Sequence, residues 1–448
     1  MLVDEGTALY RTYIFSPFAW VHQALFEPIA TFRPYDIAMA ALLWLAMLRK
    51  RPKGGTVGPM RRALFVAALA TAALMAYGLA RGGDARAAGW QVYLLFATIL
   101  MTFTFATVFH TAEHFVGVVR TIVWAGAYHA VMCIIFYFTW VRPGRIIPFP
   151  EYMTTHDDSV LWTIGVGFLF LSVMQNPTRR MRWIAAFGLP LFLYAIQLNK
   201  RRLAWISLGG ALVTMYFLLP PSKIKRRIRR VVLVTGPVII LYTAIGWGRT
   251  ESIFKPLLAF QTVSTAQDKS TLARNAENLG LIATANQGWL MGTGWGHKYV
   301  EVSNKYAIYF FELWPYVPHN SILGLFAYTG YLGFLGYWMT FPMAAFFHAR
   351  TARLGDRPVD RFVGVVGMMQ LVACADQWYG DMGSFSSVTD YTLATCFAAA
   401  LRVPVAAGVW SDKPVPKPAP EPEPEPPARG APEPEPEPAP APAPEDEA

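Results

Sequence analysis

Residues 89–109 read GWQVYLLFATILMTFTFATVF, a run of twenty-one residues without one charged side chain. An α-helix rises about 1.5 Å per residue, so about 20 such residues cross the ~30 Å hydrocarbon core of a bilayer. Backbone N–H and C=O groups have no water to pair with in lipid, and a helix pairs them internally. This stretch therefore predicts a membrane-spanning helix.

Comparable apolar blocks recur along the whole chain, of which 54% is hydrophobic and only 15% is charged. Soluble domains carry about 25% charged residues, and the strands of a membrane β-barrel would alternate polar and apolar residues. We therefore expect an all-α, polytopic integral membrane protein with about 11–12 transmembrane helices. The eleven predicted helices are 35–48, 62–80, 89–109, 118–140, 158–175, 183–198, 203–220, 231–247, 320–346, 362–378 and 389–408.

The chain divides into five predicted segments. They are an N-terminal interfacial or membrane segment (1–34), transmembrane helices (35–247), one long outer loop with short helices (248–318), C-terminal transmembrane helices (319–410) and a disordered Pro/Glu-rich tail (411–448). Within the first segment, prolines interrupt the apolar stretch 13–30, which either lies in the interface or forms a twelfth span. The tail has too few large apolar side chains to form a core, so it is a solvated spacer or a docking segment.

Lysine and arginine residues set the expected orientation. Twenty of them fall in the predicted cytoplasmic loops and nine in the short outer segments, and such residues favour the cytoplasmic side. The loop 248–318 is then periplasmic and the tail cytoplasmic. The net charge of +10 follows from this topology and gives no reason to expect a nucleic-acid partner. Cysteines at 133, 374 and 396 lie in apolar segments without metal-ligand or disulfide spacing.

Three sites on the outer face carry candidate chemistry. The first is Asn199-Lys200-Arg201-Arg202, a short turn in which three successive cations break the charge rule. A guanidinium is a planar fork of donors that matches phosphate geometry, so the turn is a candidate anion site. An inverted helix pair, or side chains that snorkel to head groups, would also explain these charges.

The other two sites flank the end of the long loop. Arg274 precedes a predicted amphipathic helix over 275–291, whose N-terminal amides favour phosphate, although a lone loop arginine is commonly just solvated. His319 lies where the helix 320–346 enters the membrane. Histidine is the usual general base near neutral pH, but a lone histidine is more often structural than catalytic. Asp376 and Asp381 either orient an acceptor or His319, or are solvated carboxylates near a helix end.

Together these stretches resemble the bacterial O-antigen ligase and O-antigen polymerase superfamily. The resemblance covers residues 195–345, in the order outer-turn arginine, long loop with a second arginine, and His-Asn at the start of a helix. The matching stretches are Asn199-Lys200-Arg201-Arg202-Leu203-Ala204-Trp205, Arg274 ahead of Gly292, Gly294 and Gly296, Pro318-His319-Asn320-Ser321-Ile322-Leu323, and Tyr328-Thr329-Gly330-Tyr331-Leu332-Gly333.

The resemblance implies a metal-independent, inverting glycosyltransferase of the bacterial inner membrane, with its active site facing the periplasm and no cofactor. Its donor would be an undecaprenyl-diphosphate-linked glycan in membrane lipid. Its acceptor would be another glycan, the lipid A core of lipopolysaccharide, or a protein. Arg202 and Arg274 would bind the diphosphate, with Arg201 sharing the work, and His319 would deprotonate the acceptor hydroxyl. Many members have serine where this chain has Arg201, which leaves open which of the two arginines faces the phosphate.

Two other functional classes remain open from the sequence. A transporter or flippase of lipid-linked sugars would have repeated helix sets and charges at mid-membrane, and we find no clear repeat. A non-catalytic scaffold for envelope assembly would use the tail to recruit partners, and it leaves the outer arginines unexplained.

Overall fold

The protein is an all-helical, multi-pass membrane protein. The computed structural model describes residues 34–48, 55–145, 152–175, 178–221, 223–249, 254, 269–303 and 313–411. The predicted segment 13–30 and residues 412–448 of the tail lie outside these ranges. None of the described residues is in a β-strand. The described ranges contain thirteen α-helices: α1 (Pro34–Leu48), α2 (Gly58–Ala80), α3 (Ala85–Val108), α4 (Ala112–Phe136), α5 (Asp158–Gln175), α6 (Arg179–Asn199), α7 (Arg202–Leu218), α8 (Lys223–Gly246), α9 (Lys269–Ala285), α10 (Ser321–Trp338), α11 (Thr340–Leu354), α12 (Pro358–Gly380) and α13 (Ser387–Ala406).

Eight spans among the described residues are long and apolar enough to cross a membrane. They contain α2, α3, α4 with the π-helical turn that follows it, α5, α6, α8 from residue 228, α10 joined to α11, and α12. Helices α1 and α7 are apolar but shorter. The apolar side chains of α8 are exposed, such as Val234 (71%) and Ile240 (70%), as is expected where lipid rather than water is the solvent.

Helix α13 lies at the centre of the bundle and packs against α3, α11 and α12. Its side chains are buried along nearly its whole length, which is why it can carry polar residues. Arg402 donates from Nε to the Ala106 carbonyl (2.7 Å) and from Nη1 to the Gly55 carbonyl (3.0 Å). A cation can be buried when its donors are satisfied in this way, so Arg402 ties one end of α13 to the start of α2 and the end of α3.

The connections between helices alternate between two ends of the bundle. At the end near Arg402, Arg357 donates to Glu113 (2.8 Å), so the α12 start meets the α4 start. At the opposite end, the Asp84 N–H donates to the Gly296 carbonyl (2.9 Å) and the Met382 N–H donates to the His319 carbonyl (2.7 Å). Because the chain crosses the bundle between successive connections, the residues of the candidate site all meet at this second end.

Glycines allow the long loop to lie directly on the helix ends. Gly294 has φ +83°, and a Cβ on it would lie 2.3 Å from the Cα of Gly78. The next residue, Trp295, donates its N–H to the Leu74 carbonyl (3.3 Å). Gly294 therefore allows the backbone of the loop to pack closely on α2. Gly292 and Gly296 make similar close approaches to the backbone at Tyr328 of α10 and at Asp84 before α3.

Several predicted helix boundaries were wrong; α8, for example, begins at Lys223 and not at 231. Two other differences have a cause in the backbone. The amphipathic helix expected over 275–291 is Lys269–Ala285; it ends before Gly288 and Gly292, where a tight turn begins with the bond from Gly292 N–H to the Gly288 carbonyl (2.6 Å). The helix expected over 320–346 is two helices that meet at Met339. Inside the first of them Gly330 has φ +59° and ψ −164°, so the backbone is kinked where it contacts the loop at Leu290.

Candidate functional site

The turn between α6 and α7 separates two consecutive arginines. Helix α6 ends at Asn199, Lys200 adopts a left-handed conformation (φ +56°), and Arg201 is extended as the N-cap of α7. This reversal directs Arg201 inward, where it is only 9% exposed, while Arg202 begins α7 as an exposed residue. The structure thus brings Arg201, and not Arg202, to the buried side of the turn.

Asn199 fixes a second loop against this turn. Its side chain is fully buried, and its Oδ1 accepts the backbone N–H groups of Met153 (3.0 Å) and Thr154 (2.8 Å). The anchored loop presents Tyr152 and His156 to Arg201. The guanidinium carbon of Arg201 lies 3.9 Å from the centre of the Tyr152 ring, and Nη1 contacts Nδ1 of His156. Asn199 therefore organises the surroundings of the arginine two residues after it.

Asp381 joins the two arginines across the bundle. It follows α12, and its side chain is 4% exposed. Its Oδ2 accepts a hydrogen bond from Nη1 of Arg201 (3.2 Å), and its Oδ1 lies 3.7 Å from Nη2 of Arg274 on α9. Gln377 holds the turn in place because its Nε2 donates to the Asp381 carbonyl (3.1 Å). One carboxylate thus draws together two guanidinium groups that lie 73 residues apart in the sequence.

His319 lies directly beside this carboxylate turn. Its carbonyl accepts the N–H of Met382, the residue after Asp381. Its Nδ1 is 2.8 Å from Oε2 of Glu277, and its backbone N–H donates to Oε1 of the same residue (2.5 Å). The Glu277 side chain is 4% exposed and that of His319 is 27% exposed. Glu277 therefore holds the imidazole from the buried side, and part of the ring remains accessible.

Burial and charge determine the protonation of the second imidazole. Burial lowers the pKa of His156 well below its usual value, and the nearby guanidinium cations of Arg201 and Arg274 lower it further. His156 is therefore neutral at neutral pH. Burial also lowers the pKa of Arg201 to about 10, which leaves it charged. The two guanidinium groups flank the carboxylate of Asp381, while the carboxylate of Glu277 lies against His319 and that of Asp157 acts on Arg201.

Two polar atoms in the cluster are buried and have no hydrogen-bond partner among the described residues: Nε of Arg201 and Oδ1 of Asp381. A buried donor without an acceptor costs about 1–3 kcal/mol, and the Nε–H of Arg201 could be satisfied by an oxygen of a bound anion. Within the ranges that the structure describes, no three His, Cys, Asp or Glu side chains are grouped as metal ligands.

The structure brings four of the six predicted site residues into one cluster, namely Arg201, Arg274, His319 and Asp381. Arg202 lies on the exposed side of the turn, and Asp376 is a half-buried residue of α12 that hydrogen-bonds Ser207 on α7.

Sequence reasoning missed the supporting residues Tyr152, His156, Asn199 and Glu277. One signal was available for Glu277, since it follows Arg274 by three residues and would share a face with it if the predicted helix began one turn earlier. The contacts of His156 with Arg201 and of Asn199 with the 153–155 backbone had no local signal. They join segments that lie about 45 residues apart.

No protein-family model matches the chain, and no curated protein matches it either.

Proposed function

We propose that the chain is a membrane glycosyltransferase of the O-antigen ligase or polymerase type. It would transfer a glycan from an undecaprenyl-diphosphate-linked donor to an acceptor hydroxyl during the assembly of cell-surface polysaccharide. The observation that carries the proposal is the convergence of Arg201 and Arg274 on Asp381 (3.2 and 3.7 Å) beside His319, at one end of a membrane bundle.

The two arginines suit a diphosphate leaving group. As the bond from the anomeric carbon to the diphosphate oxygen breaks, negative charge grows on that oxygen, and fixed positive groups stabilise it. Arg201 has a buried Nε–H without an acceptor, and a phosphate oxygen would satisfy it. Arg274 is 39% exposed, so it can reach an anion that approaches from outside the cluster.

His319 suits the role of general base. With the proton on Nδ1 directed at Glu277, the lone pair of Nε2 can accept the proton of an acceptor hydroxyl. That oxygen attacks the anomeric carbon opposite to the departing diphosphate, so the configuration inverts. The proton moves from the hydroxyl to Nε2 while the electron pair of the broken bond leaves on the diphosphate.

The position of the cluster suits a lipid-linked donor. The candidate residues lie at the ends of α6, α10 and α12, where a bilayer would place head groups, so a polyprenyl chain could remain in the lipid while its diphosphate enters the site. The opposite end carries the basic starts of α6 and α8, with Arg179, Arg180, Arg226 and Arg229. The charge rule then supports a periplasmic position for the site.

The direct test is His319→Ala, expressed in a strain that lacks the chain. General-base catalysis contributes about 100-fold or more, so mature surface polysaccharide should be lost while the protein inserts at normal levels. The matched control is His114→Ala, which removes an exposed histidine at the opposite end of the bundle. Normal glycan length and attachment in the His319 variant would overturn the proposal.

A reconstituted assay separates this function from transport and scaffolding. Purified protein in liposomes that contain a lipid-linked glycan should release undecaprenyl diphosphate only when an acceptor glycan is added. A flippase would move the donor between leaflets without cleaving it, and a scaffold would do neither. Movement of intact donor between leaflets without release of undecaprenyl diphosphate would contradict the glycosyltransferase and support the transporter.

A further inference from the structure

We propose that Glu277 is a positioning residue for His319, and that α9 sets the distance between this base and the diphosphate-binding Arg274. The inference rests on the proposed function and adds to it a residue that holds the imidazole in one tautomer and orientation.

Glu277 uses both of its carboxylate oxygens on the same residue. Oε1 accepts the backbone N–H of His319 (2.5 Å) and Oε2 faces Nδ1 (2.8 Å). A carboxylate can only accept hydrogen bonds, so Nδ1 must carry the proton and the neutral ring has its lone pair on Nε2. Because the Glu277 side chain is 4% exposed, water does not compete for these bonds. This arrangement leaves one tautomer, the one that a base facing outward requires.

The residues that follow Glu277 and His319 in the sequence, Asn278 and Asn320, also form a hydrogen-bonded pair. Asn320 donates from Nδ2 to Oδ1 of Asn278 (3.2 Å), and its own Oδ1 accepts the N–H of Leu323 (3.0 Å) as the cap of α10. Two consecutive residues of α9 thus hold two consecutive residues at the start of α10. His319 is thereby fixed through its backbone as well as its ring.

Arg274 and Glu277 lie three residues apart on α9 and share one face of the helix. Arg274 reaches Asp381 from this face (3.7 Å), and Glu277 reaches His319 (2.8 Å). A rigid helical turn therefore connects the group that binds the leaving diphosphate to the group that supports the base. Reactions of two bound groups depend steeply on such spacing, so α9 would contribute to rate without touching the reacting atoms.

The experiment compares Glu277→Gln, Glu277→Ala, His319→Ala and the double variant Glu277→Ala/His319→Ala, with exposed Glu301→Gln as the matched control. Loss of an orienting carboxylate should lower kcat by about 100-fold while KM for the lipid-linked donor changes little. The double variant should be no slower than His319→Ala alone, because Glu277 would act only through the imidazole. Equal kcat in Glu277→Gln and wild type, or a double variant much slower than His319→Ala, would overturn the proposal.

A spectroscopic readout tests the same point without the reaction. In protein with ¹⁵N-labelled histidine, the signals lost in His319→Ala identify His319, and in wild type, at a pH where the ring is neutral, they should report the proton on Nδ1. Glu277→Gln should mix the two tautomers, and Glu301→Gln should not. An unchanged tautomer in Glu277→Gln would overturn the inference. Failure of wild-type protein to release undecaprenyl diphosphate would overturn only the proposed function.

Discussion

Nη1 of Arg201 donates a 3.2 Å hydrogen bond to Oδ2 of Asp381, across 180 residues of sequence. Both side chains are buried, at 10% and 4% exposure, so the pair is shielded from the water that weakens surface ion pairs. The bond joins the α6–α7 turn to the end of α12. It also selects one arginine of a consecutive pair for the candidate site.

The first prediction compares the two neighbours directly. If Arg201 binds the donor diphosphate as proposed, Arg201→Lys should lower kcat/KM by about 100-fold, because a lysine cannot supply the planar fork needed to contact both a phosphate and Asp381. Arg202→Lys keeps the charge at an exposed position and should change the rate only a few-fold. Release of undecaprenyl diphosphate by the purified variants measures both. A larger loss for Arg202→Lys would move the phosphate site to the outer side of the turn.

The second prediction concerns stability against pH. The pKa of His156 is lowered in the folded protein, so the unfolded chain binds a proton at a pH where the folded protein does not. The contribution of His156 to the free energy of unfolding is therefore complete above its ordinary pKa of 6.5. It is lost as the pH falls from 6.5 towards the lower pKa that His156 has in the folded protein.

Unfolding temperatures of purified protein between pH 7.5 and pH 5 measure this contribution. Wild type should lose stability below about pH 6.5, and His156→Asn should lose less over the same range. The matched control is His114→Asn at the exposed opposite end, which should follow wild type. Parallel curves for His156→Asn and wild type would show that His156 titrates equally in both states.

The third prediction tests the packing of the long loop on α2. Gly294→Ala places a Cβ 2.3 Å from Gly78 Cα at a residue with φ +83°, and should destabilise the protein by about 1–3 kcal/mol. Gly89→Ala is the matched control, because no atom beyond the neighbouring backbone of its own helix lies within 4 Å of the added Cβ and alanine favours a helix. The unfolding temperature should fall for the first variant only. Equal values would contradict the close approach of loop and helix.

Much of the architecture follows from local sequence. Residues 89–109 lack charge, and α3 spans Ala85–Val108, because an uncharged run of this length has one good way to satisfy its backbone in lipid. Helix boundaries were harder to predict from the sequence where glycines determine them. The end of α9 and the kink at Gly330 depend on what the loop packs against, which periodicity does not report.

The candidate site divides in the same way. Arg274, His319 and Asp381 stand out as residue types in apolar surroundings, so their chemistry was readable one by one. The choice of Arg201 over Arg202 depends on the left-handed Lys200 and on the distant Asp381. The sequence marked Glu277 only by its spacing from Arg274, and the packing of α9 is what brings it against His319.

By itself, the sequence determined that this chain is a helical membrane protein and which charged residues lie near its helix ends, because hydrophobic length and charge are local properties read over about 20 residues. Only the tertiary structure decided which of those charges meet. The contact of Arg201 with Asp381 depends on how α7 packs against α12, and the contact of Glu277 with His319 depends on how α9 packs against α10. That packing is a collective outcome of the whole bundle, which no single segment encodes.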